Sequence, residues 1–325
     1  MKILIREANW LGDAVMTIPS LIALHNRFPD AQMTIAAKES VIPLFGLLPW
    51  EISLFNFSGV KSWTGLRKEN FDLAVIFPNS FRSALEAFLS GAKRRIGYGA
   101  GGRSLFLTER ASIDKGKIHQ ADYYYNLLEP IGIKGNMPRP ELAIKEKDKE
   151  QILLWLKEKE VDTGQPLIVI SPGASYGDAK CWPEESFAAL IQKLNGLGEI
   201  LFVGTKKDAP RIEKIISLSK VKAFNLAGET SLLRLAGLFS VSKLVVSNDN
   251  GAMHLAALLG VNVICLFGPT DPLRTAPIAD KALILRDKVD CSPCKKRACS
   301  DKKCFHEITV DRVYNAAIRA MEKER

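Results

Sequence analysis

Residues 243–272 read KLVVSNDNGAMHLAALLGVNVICLFGPTDP. The apolar run 243–246 predicts a short strand, and Ser247-Asn248-Asp249-Asn250-Gly251 is a dense cluster of turn formers. An apolar helix over 252–259 follows, stopped by Gly260, and 261–267 predicts a second, buried strand. Two strands joined through one helix make a βαβ unit, which demands a parallel sheet and a right-handed crossover. Ligands of open parallel sheets sit beyond the carboxyl ends of the strands. Asp249, Asn250, Gly251 and His254 fall at that edge, at the N-terminus of a helix whose free N–H groups and dipole favour an anion. Gly268-Pro269-Thr270-Asp271 reaches the same edge after the next strand. The stretch predicts the rim of a site for a phosphate-bearing ligand.

The chain around it has 325 residues, natural for two α/β domains, and is 47% hydrophobic and 25% charged. No apolar run reaches the ~18 residues of a membrane helix. The N-terminus MKILIR is too short an apolar segment for a signal peptide and reads as a first strand, so a cytoplasmic protein is expected. The formal charge of +9 suits anionic partners: nucleotide phosphates, an acidic glycolipid or an anionic membrane surface. Without a nucleic-acid motif or a basic run interleaved with stacking aromatics, nucleic acid is not the expected partner.

Residues 2–7 predict a strand and 14–28 a helix, with the loop Ala8-Asn9-Trp10-Leu11-Gly12-Asp13 between them. Asp13 falls where the helix begins. It can cap free backbone N–H groups, or stand ionised and aimed into a crevice as a general base requires; the two roles are compatible. Pro19 should kink the helix or delay its start. Strand–helix pairs at 33–37 and 40–47, 52–57 and 60–69, and 73–77 and 80–89 imply a doubly wound domain. Pro78-Asn79-Ser80 ends a strand and opens a helix, so Asn79 and Ser80 share the edge of Asp13. The most basic stretch, 91–117, carries seven Lys or Arg against Glu109 and Asp114. It reads either as a solvated loop or as a surface for an acidic acceptor, with Arg82, Arg94, Arg95 and Arg103 as candidate contacts. Its Gly97, Gly99 and Gly102 match G-x-G-x-x-G, but no clear helix follows, so the dinucleotide fingerprint is rejected. Tyr123-Tyr124-Tyr125 is expected to pack on a helix face.

A charged helix over 145–160 and a linker over 161–166 place the domain boundary: 1–162, then 163–308, then a terminal helix in 309–325. The second domain opens with a strand at 167–171 and the loop PGASYGDAKCWP, 172–183. A glycine-bearing loop with one lysine, Lys180, suits a diphosphate, because backbone N–H groups approach closely and the ammonium adds a point charge. No Asp-x-Asp triplet occurs, which weighs against a Mg²⁺- or Mn²⁺-dependent mechanism. Cys291, Cys294, Cys299 and Cys304 are spaced C-x₂-C-x₄-C-x₄-C. Four thiolates at such spacing suit a structural zinc; an Fe–S cluster, unmetallated thiols and disulfides are the alternatives. Far along the chain from Asp13 and Lys180, a metal there is expected to pin the terminal helix and do no chemistry.

Two Rossmann-like doubly wound α/β domains facing a cleft, one with an Asp-tipped loop and one with a nucleotide-type rim, resemble a GT-B glycosyltransferase. The motifs narrow this. Asn9-Trp10-Leu11-Gly12-Asp13, Pro78-Asn79-Ser80-Phe81-Arg82-Ser83-Ala84-Leu85, Pro172-Gly173-Ala174 with Gly177 and Ala179-Lys180-Cys181-Trp182-Pro183, Asn225-Leu226-Ala227-Gly228-Glu229-Thr230, and Asn248-Asp249-Asn250-Gly251-Ala252-Met253-His254 together resemble glycosyltransferase family 9. Within it they are most similar to the branch of lipopolysaccharide heptosyltransferases that extends a first heptose. The resemblance implies inverting, metal-independent transfer of heptose from ADP-heptose to the first heptose of the Kdo–lipid A core, at the inner face of the inner membrane. Heptosyltransferases for neighbouring core positions, and a non-catalytic glycolipid or nucleotide-sugar binder on this fold, are the alternatives. It makes Asp13 the base and Lys180 the group that neutralises the leaving diphosphate. Gly12, Ser175, Tyr176, Thr230, Asp249, Asn250, Gly251 and His254 would bind the donor, and Asn79, Ser80 and the arginines named above the acceptor. Asn250 and Cys181 depart from the residues common there.

Overall fold

The computed structural model describes residues 1–57, 59, 61–112, 116, 118–140 and 142–322. The chain divides into two compact units, Met1–Leu142 and Ala143–Arg325. In the first, six parallel strands form one sheet: β1 (Lys2–Arg6), β2 (Gln32–Ala37), β3 (Ser53–Asn56), β4 (Leu73–Ile76), β5 (Arg94–Tyr98) and β6 (Glu109–Ala111), in the order β3-β2-β1-β4-β5-β6. Ile3, Leu4 and Ile5 are consecutive and fully buried, as a central parallel strand covered on both faces requires. Each such side chain contributes roughly 1.5–3 kcal/mol on burial. The order reverses between β1 and β4, which sets the loops after those strands side by side at the carboxyl edge.

The second unit repeats the plan with β7 (Leu167–Ser171), β8 (Glu199–Phe202), β9 (Phe224–Asn225), β10 (Leu244–Asn248), β11 (Val263–Phe267) and β12 (Ala282–Arg286), ordered β12-β11-β10-β7-β8-β9 and parallel throughout. Its reversal lies between β7 and β10. The decisive stretch is β10, the helix Gly251–Leu258 and β11, as the periodicity predicts. Its helix is buried almost all round because sheet and neighbouring helix enclose it.

The expected boundary at 162/163 moves to 142/143. The helix Glu146–Glu158 packs on the helix Leu232–Ser240 of the second unit, where Gly237 admits Ile152 so closely that a Cβ would overlap it. Lys159 pairs with Glu229, and Arg234 lies 4.9 Å over the Trp155 ring. The terminal helix Val310–Glu322 is no separate segment either: Val313 and Ala317 are fully buried in the second core. In the first unit the helix after β1 runs unbroken from Leu11 to Arg27 through Pro19, starting three residues earlier than the sequence suggests.

Candidate functional site

Each switch point gathers one group of the expected side chains. In the first unit, Trp10 is the capping residue of the helix Leu11–Arg27, and Gly12 and Asp13 are its second and third residues. Asp13 is thus not the N-cap. Its Oδ1 accepts a hydrogen bond from the Tyr124 hydroxyl at 2.8 Å. Tyr124 is buried on the helix Gln120–Asn126, with its ring edge-on to Phe77. Burial, and then the neighbouring Asp13, hold the phenol well above its usual range, so it remains a donor to the carboxylate. This residue, expected only to pack, orients Asp13 across 111 positions of sequence.

Two further groups escape a local reading. Glu7, fully buried at the end of β1, accepts from the Ala8 N–H at 2.7 Å. Burial pushes its carboxyl up to about 8, and Asp13 adds to the rise, so Glu7 is mostly protonated at neutral pH. Arg6 pairs with Glu86 at 2.8 Å, both side chains being buried, and its Nη1 donates to Asn9 Oδ1 at 3.2 Å. The Asp13 loop is anchored to the sheet by that guanidinium.

Asn79 and Ser80 lie at the same edge and are exposed. Asn79 Nδ2 donates to the Tyr123 hydroxyl at 2.7 Å, and Ser80 Oγ caps the helix Phe81–Leu89 by accepting from Ser83 N at 3.1 Å. Arg82 is tied to Glu86 at 2.9 Å with its side chain still 62% exposed. The other three arginines do not join this group as free contacts. Arg94 and Arg95 begin β5, at the amino end of the strand and so the opposite sheet edge. Arg94 makes a forked pair with Glu109 at 2.7 and 3.0 Å, and Arg95 Nε donates to Phe106 O at 2.6 Å. Arg103 is fully buried, donating to Pro78 O at 2.7 Å and Asn79 Oδ1 at 3.0 Å. It supports the Asn79 turn from beneath. Residues 113–115 and 117 of the basic stretch lie outside the described residues.

In the second unit, the loop after β7 meets the turn after β10. Lys180 Nζ pairs with Asp249 Oδ2 at 2.6 Å, with side chains 14% and 5% exposed. The Asp249 carboxylate also accepts from Thr270 Oγ1, which brings in the loop after β11. Lys180 Nζ lies 5.0 Å from the centre of the Tyr176 ring, which is 39% exposed. Asn250 is committed to structure. Its Oδ1 caps the helix Gly251–Leu258 through Met253 N at 3.1 Å, while Nδ2 donates to Ser171 Oγ at 3.0 Å and Gly173 O at 2.7 Å. Buried Asn248 locks the same two loops through Trp182 N and Pro172 O. His254 is buried in the first turn of that helix and Gly251 starts it. Ser175 is exposed on the loop after β7, and Thr230 half-exposed after β9, both at the carboxyl edge. A cavity of about 720 Å³ opens beside Glu184, Arg211 and Lys302, but its lining includes neither Lys180 nor Asp249.

The cysteine loop is nearer this group than its place in the chain suggests. Tyr176 Oη donates to Lys295 O at 2.6 Å, Ala179 N to Arg297 O at 3.1 Å, and Lys302 Nζ to Cys181 O at 3.1 Å. The expectation that the loop serves only the terminal helix is therefore corrected. Its four thiols are unbridged: Cys291 is exposed, Cys294 and Cys299 half-buried and Cys304 buried. Burial, aided by the other three thiols, pushes Cys304 up to about 11. Among the described residues no three His, Cys, Asp or Glu side chains are arranged to hold a metal ion.

A model of glycosyltransferase family 9 (heptosyltransferase) matches residues 60–305. A lipopolysaccharide heptosyltransferase 2 of Salmonella typhimurium is 30% identical over 309 residues, 88% of each chain. A lipooligosaccharide heptosyltransferase 2 of Campylobacter jejuni is 28% identical over 332 residues, 98% of this chain and 97% of that relative. The solved Escherichia coli ADP-heptose lipopolysaccharide heptosyltransferase II aligns with a TM-score of 0.89 at 27% identity, covering 100% of this chain and 99% of that one.

Proposed function

The chain belongs to glycosyltransferase family 9, and from that premise we propose that it transfers heptose from ADP-L-glycero-D-manno-heptose to the first heptose of a Kdo–lipid A inner core, with inversion and without a metal. The observation that carries this is the pairing of contents at the two switch points: an oriented carboxylate at one, a phosphate-type rim with a lysine at the other. Asp13 takes the proton of the acceptor hydroxyl as its oxygen bonds to the anomeric carbon. The bond from that carbon to the diphosphate oxygen breaks on the opposite face. Charge then grows on the departing ADP, where Lys180 and the N-terminus of the helix Gly251–Leu258 favour it. Tyr124 keeps the Asp13 carboxylate aimed. Thr230, Ser175 and Tyr176 are assigned to the donor, Asn79, Ser80 and Arg82 to the acceptor.

Among the described residues no helix is long and apolar enough to cross a membrane. A lipid-anchored acceptor would instead meet a surface patch on the first unit. Phe81, Phe88 and Leu105 are 49%, 40% and 85% exposed, Phe106 packs on both phenylalanines, and Arg82 stands alongside. Apolar tips with flanking cations suit an anionic bilayer surface at the inner leaflet. Leu105→Glu should weaken sedimentation with phosphatidylglycerol vesicles; undiminished binding would remove the patch from the proposal. The function itself is tested by mass spectrometry of products from ADP-heptose and Kdo₂–lipid A, with and without one heptose attached. Addition of one heptose only to the heptosylated acceptor is the expected result. Addition only to the bare acceptor would reassign the core position, and release of ADP without any acceptor product would leave no transferase for this acceptor.

A further inference from the structure

We propose that Arg297, on the cysteine loop, is a second cation for the diphosphate of the donor, held in place by the backbone of its own loop. The inference rests on the donor site proposed above and extends it to a segment that sequence reasoning set apart from the chemistry.

The cysteine loop joins two of the edge loops. It is tied to the loop after β11 by Ser292 Oγ to Gly268 O at 2.7 Å and Lys295 N to Pro269 O at 2.9 Å. It is tied to the loop after β7 by the Tyr176, Ala179 and Lys302 bonds described above. At Arg297 the two backbones meet directly. Its carbonyl accepts from Ala179 N and lies where a Cβ on Gly177 would sit, and Gly177 has φ +152°, a backbone that side chains rarely adopt. Only glycine lets the two loops meet so closely, so the Arg297 backbone is fixed against the lysine loop.

The guanidinium then extends from a rigid root. Its Cζ lies 5.3 Å from the centre of the Tyr176 ring, the ring that also carries Lys180 Nζ at 5.0 Å. Two cations thus lie over one partly exposed aromatic ring. They differ in what holds them. Lys180 is paired with Asp249, and Lys302 with Asp178 at 2.8 Å, whereas Arg297 is exposed and makes no ion pair among the described residues. A planar guanidinium with unclaimed donors suits two oxygens of a phosphate, where the lysine offers a single point charge.

The test is calorimetric titration of ADP, with adenosine as the phosphate-free control, into wild type, Arg297→Gln, Arg297→Lys and Lys180→Met. Because the contact is solvent-exposed, Arg297→Gln should weaken ADP binding about two- to fivefold. It should leave adenosine unchanged and flatten the salt dependence of ADP binding, while Arg297→Lys keeps most of the affinity. Wild-type ADP affinity in Arg297→Gln, with Lys180→Met weakened, overturns the role of Arg297 and leaves the donor site standing. Equal losses for ADP and adenosine overturn it too, reducing Arg297 to loop support. If neither variant alters ADP binding, the donor site itself is wrong and the proposal falls with it.

Discussion

Replacing Lys180 by Met tests whether one side chain has both a structural and a chemical task. Without ligand, Lys180 neutralises Asp249, whose side chain is only 5% exposed. Breaking a buried pair by removing one partner costs ~3–5 kcal/mol, because the remaining charge is stranded. Here the Thr270 hydroxyl still donates to Asp249 and the lysine is partly wetted, which lowers the expectation to about 2–3 kcal/mol. For a unit of this size each kcal/mol moves the melting point by ~2–4 °C, so Lys180→Met should melt about 4–12 °C below wild type. Adding Asp249→Asn should recover at least half of that, since it removes the stranded charge. Loss of a charged hydrogen bond to phosphate, ~1.5–3 kcal/mol, corresponds to an upper range of ~10- to 150-fold in ADP affinity. Scanning calorimetry and ADP titration on wild type and both variants read the two effects separately. Lys180→Met that melts within about 1 °C of wild type and binds ADP equally well would refute the reasoning.

Asp13→Asn should keep the fold and ADP affinity but lower turnover by ~10²–10⁴-fold, the usual contribution of a general base; more than a third of wild-type turnover remaining would remove that role. Glu7 is a linkage probe. Its folded carboxyl titrates near 8 against an ordinary 4.5, so its contribution is fully present below about pH 4.5 and is lost progressively as pH rises to about 8. Glu7→Gln should match wild type near pH 5 and melt higher at pH 8.5; parallel melting curves would show that Glu7 is not buried as an acid. Turnover should survive EDTA, and activity restored only by added Mg²⁺ would overturn the metal-free mechanism. Elemental analysis after anaerobic purification tests the cysteines separately, and one zinc per chain would mean that the loop rearranges around a structural ion.

The parallel sheets, their βαβ units and the loops that carry Asp13, Asn79, Lys180 and Asp249 were legible because each depends on local pattern. A buried strand shows as an apolar run, and a turn shows as Gly, Asn and Asp at its end. Side-chain partners do not follow that rule. Tyr124 reaches Asp13 from 111 residues away, and Arg6 finds Glu86 across 80. No periodicity encodes such a pairing, so Tyr124 read as packing and nothing in the local pattern joined it to Asp13. The basic stretch misled for a related reason. A sequence counts charges but not their neighbours: Arg94 is paired with Glu109 and Arg95 is bonded to Phe106 O, while Arg103 is fully buried against Pro78 O.

The cysteine loop is a different kind of omission, because a signal for its place was present. In a parallel sheet every strand delivers the following segment to the same edge. β12 pairs parallel with β11, residue Cys265 against Ile284, so the chain that leaves Arg286 must emerge beside the loops after β7, β10 and β11. Distance along the chain from Lys180 to Arg297 therefore says nothing about distance in space. The same logic explains why Gly177 has to be glycine: a loop arriving from β12 crosses a loop arriving from β7, and one backbone must yield its Cβ for the carbonyl of the other. Gly177→Ala should accordingly separate the two loops and weaken ADP binding, with the losses greatest where both Lys180 and Arg297 depend on the Tyr176 ring. If ADP affinity is unchanged in Gly177→Ala, the crossing is incidental to the site and the topological argument stops at the fold.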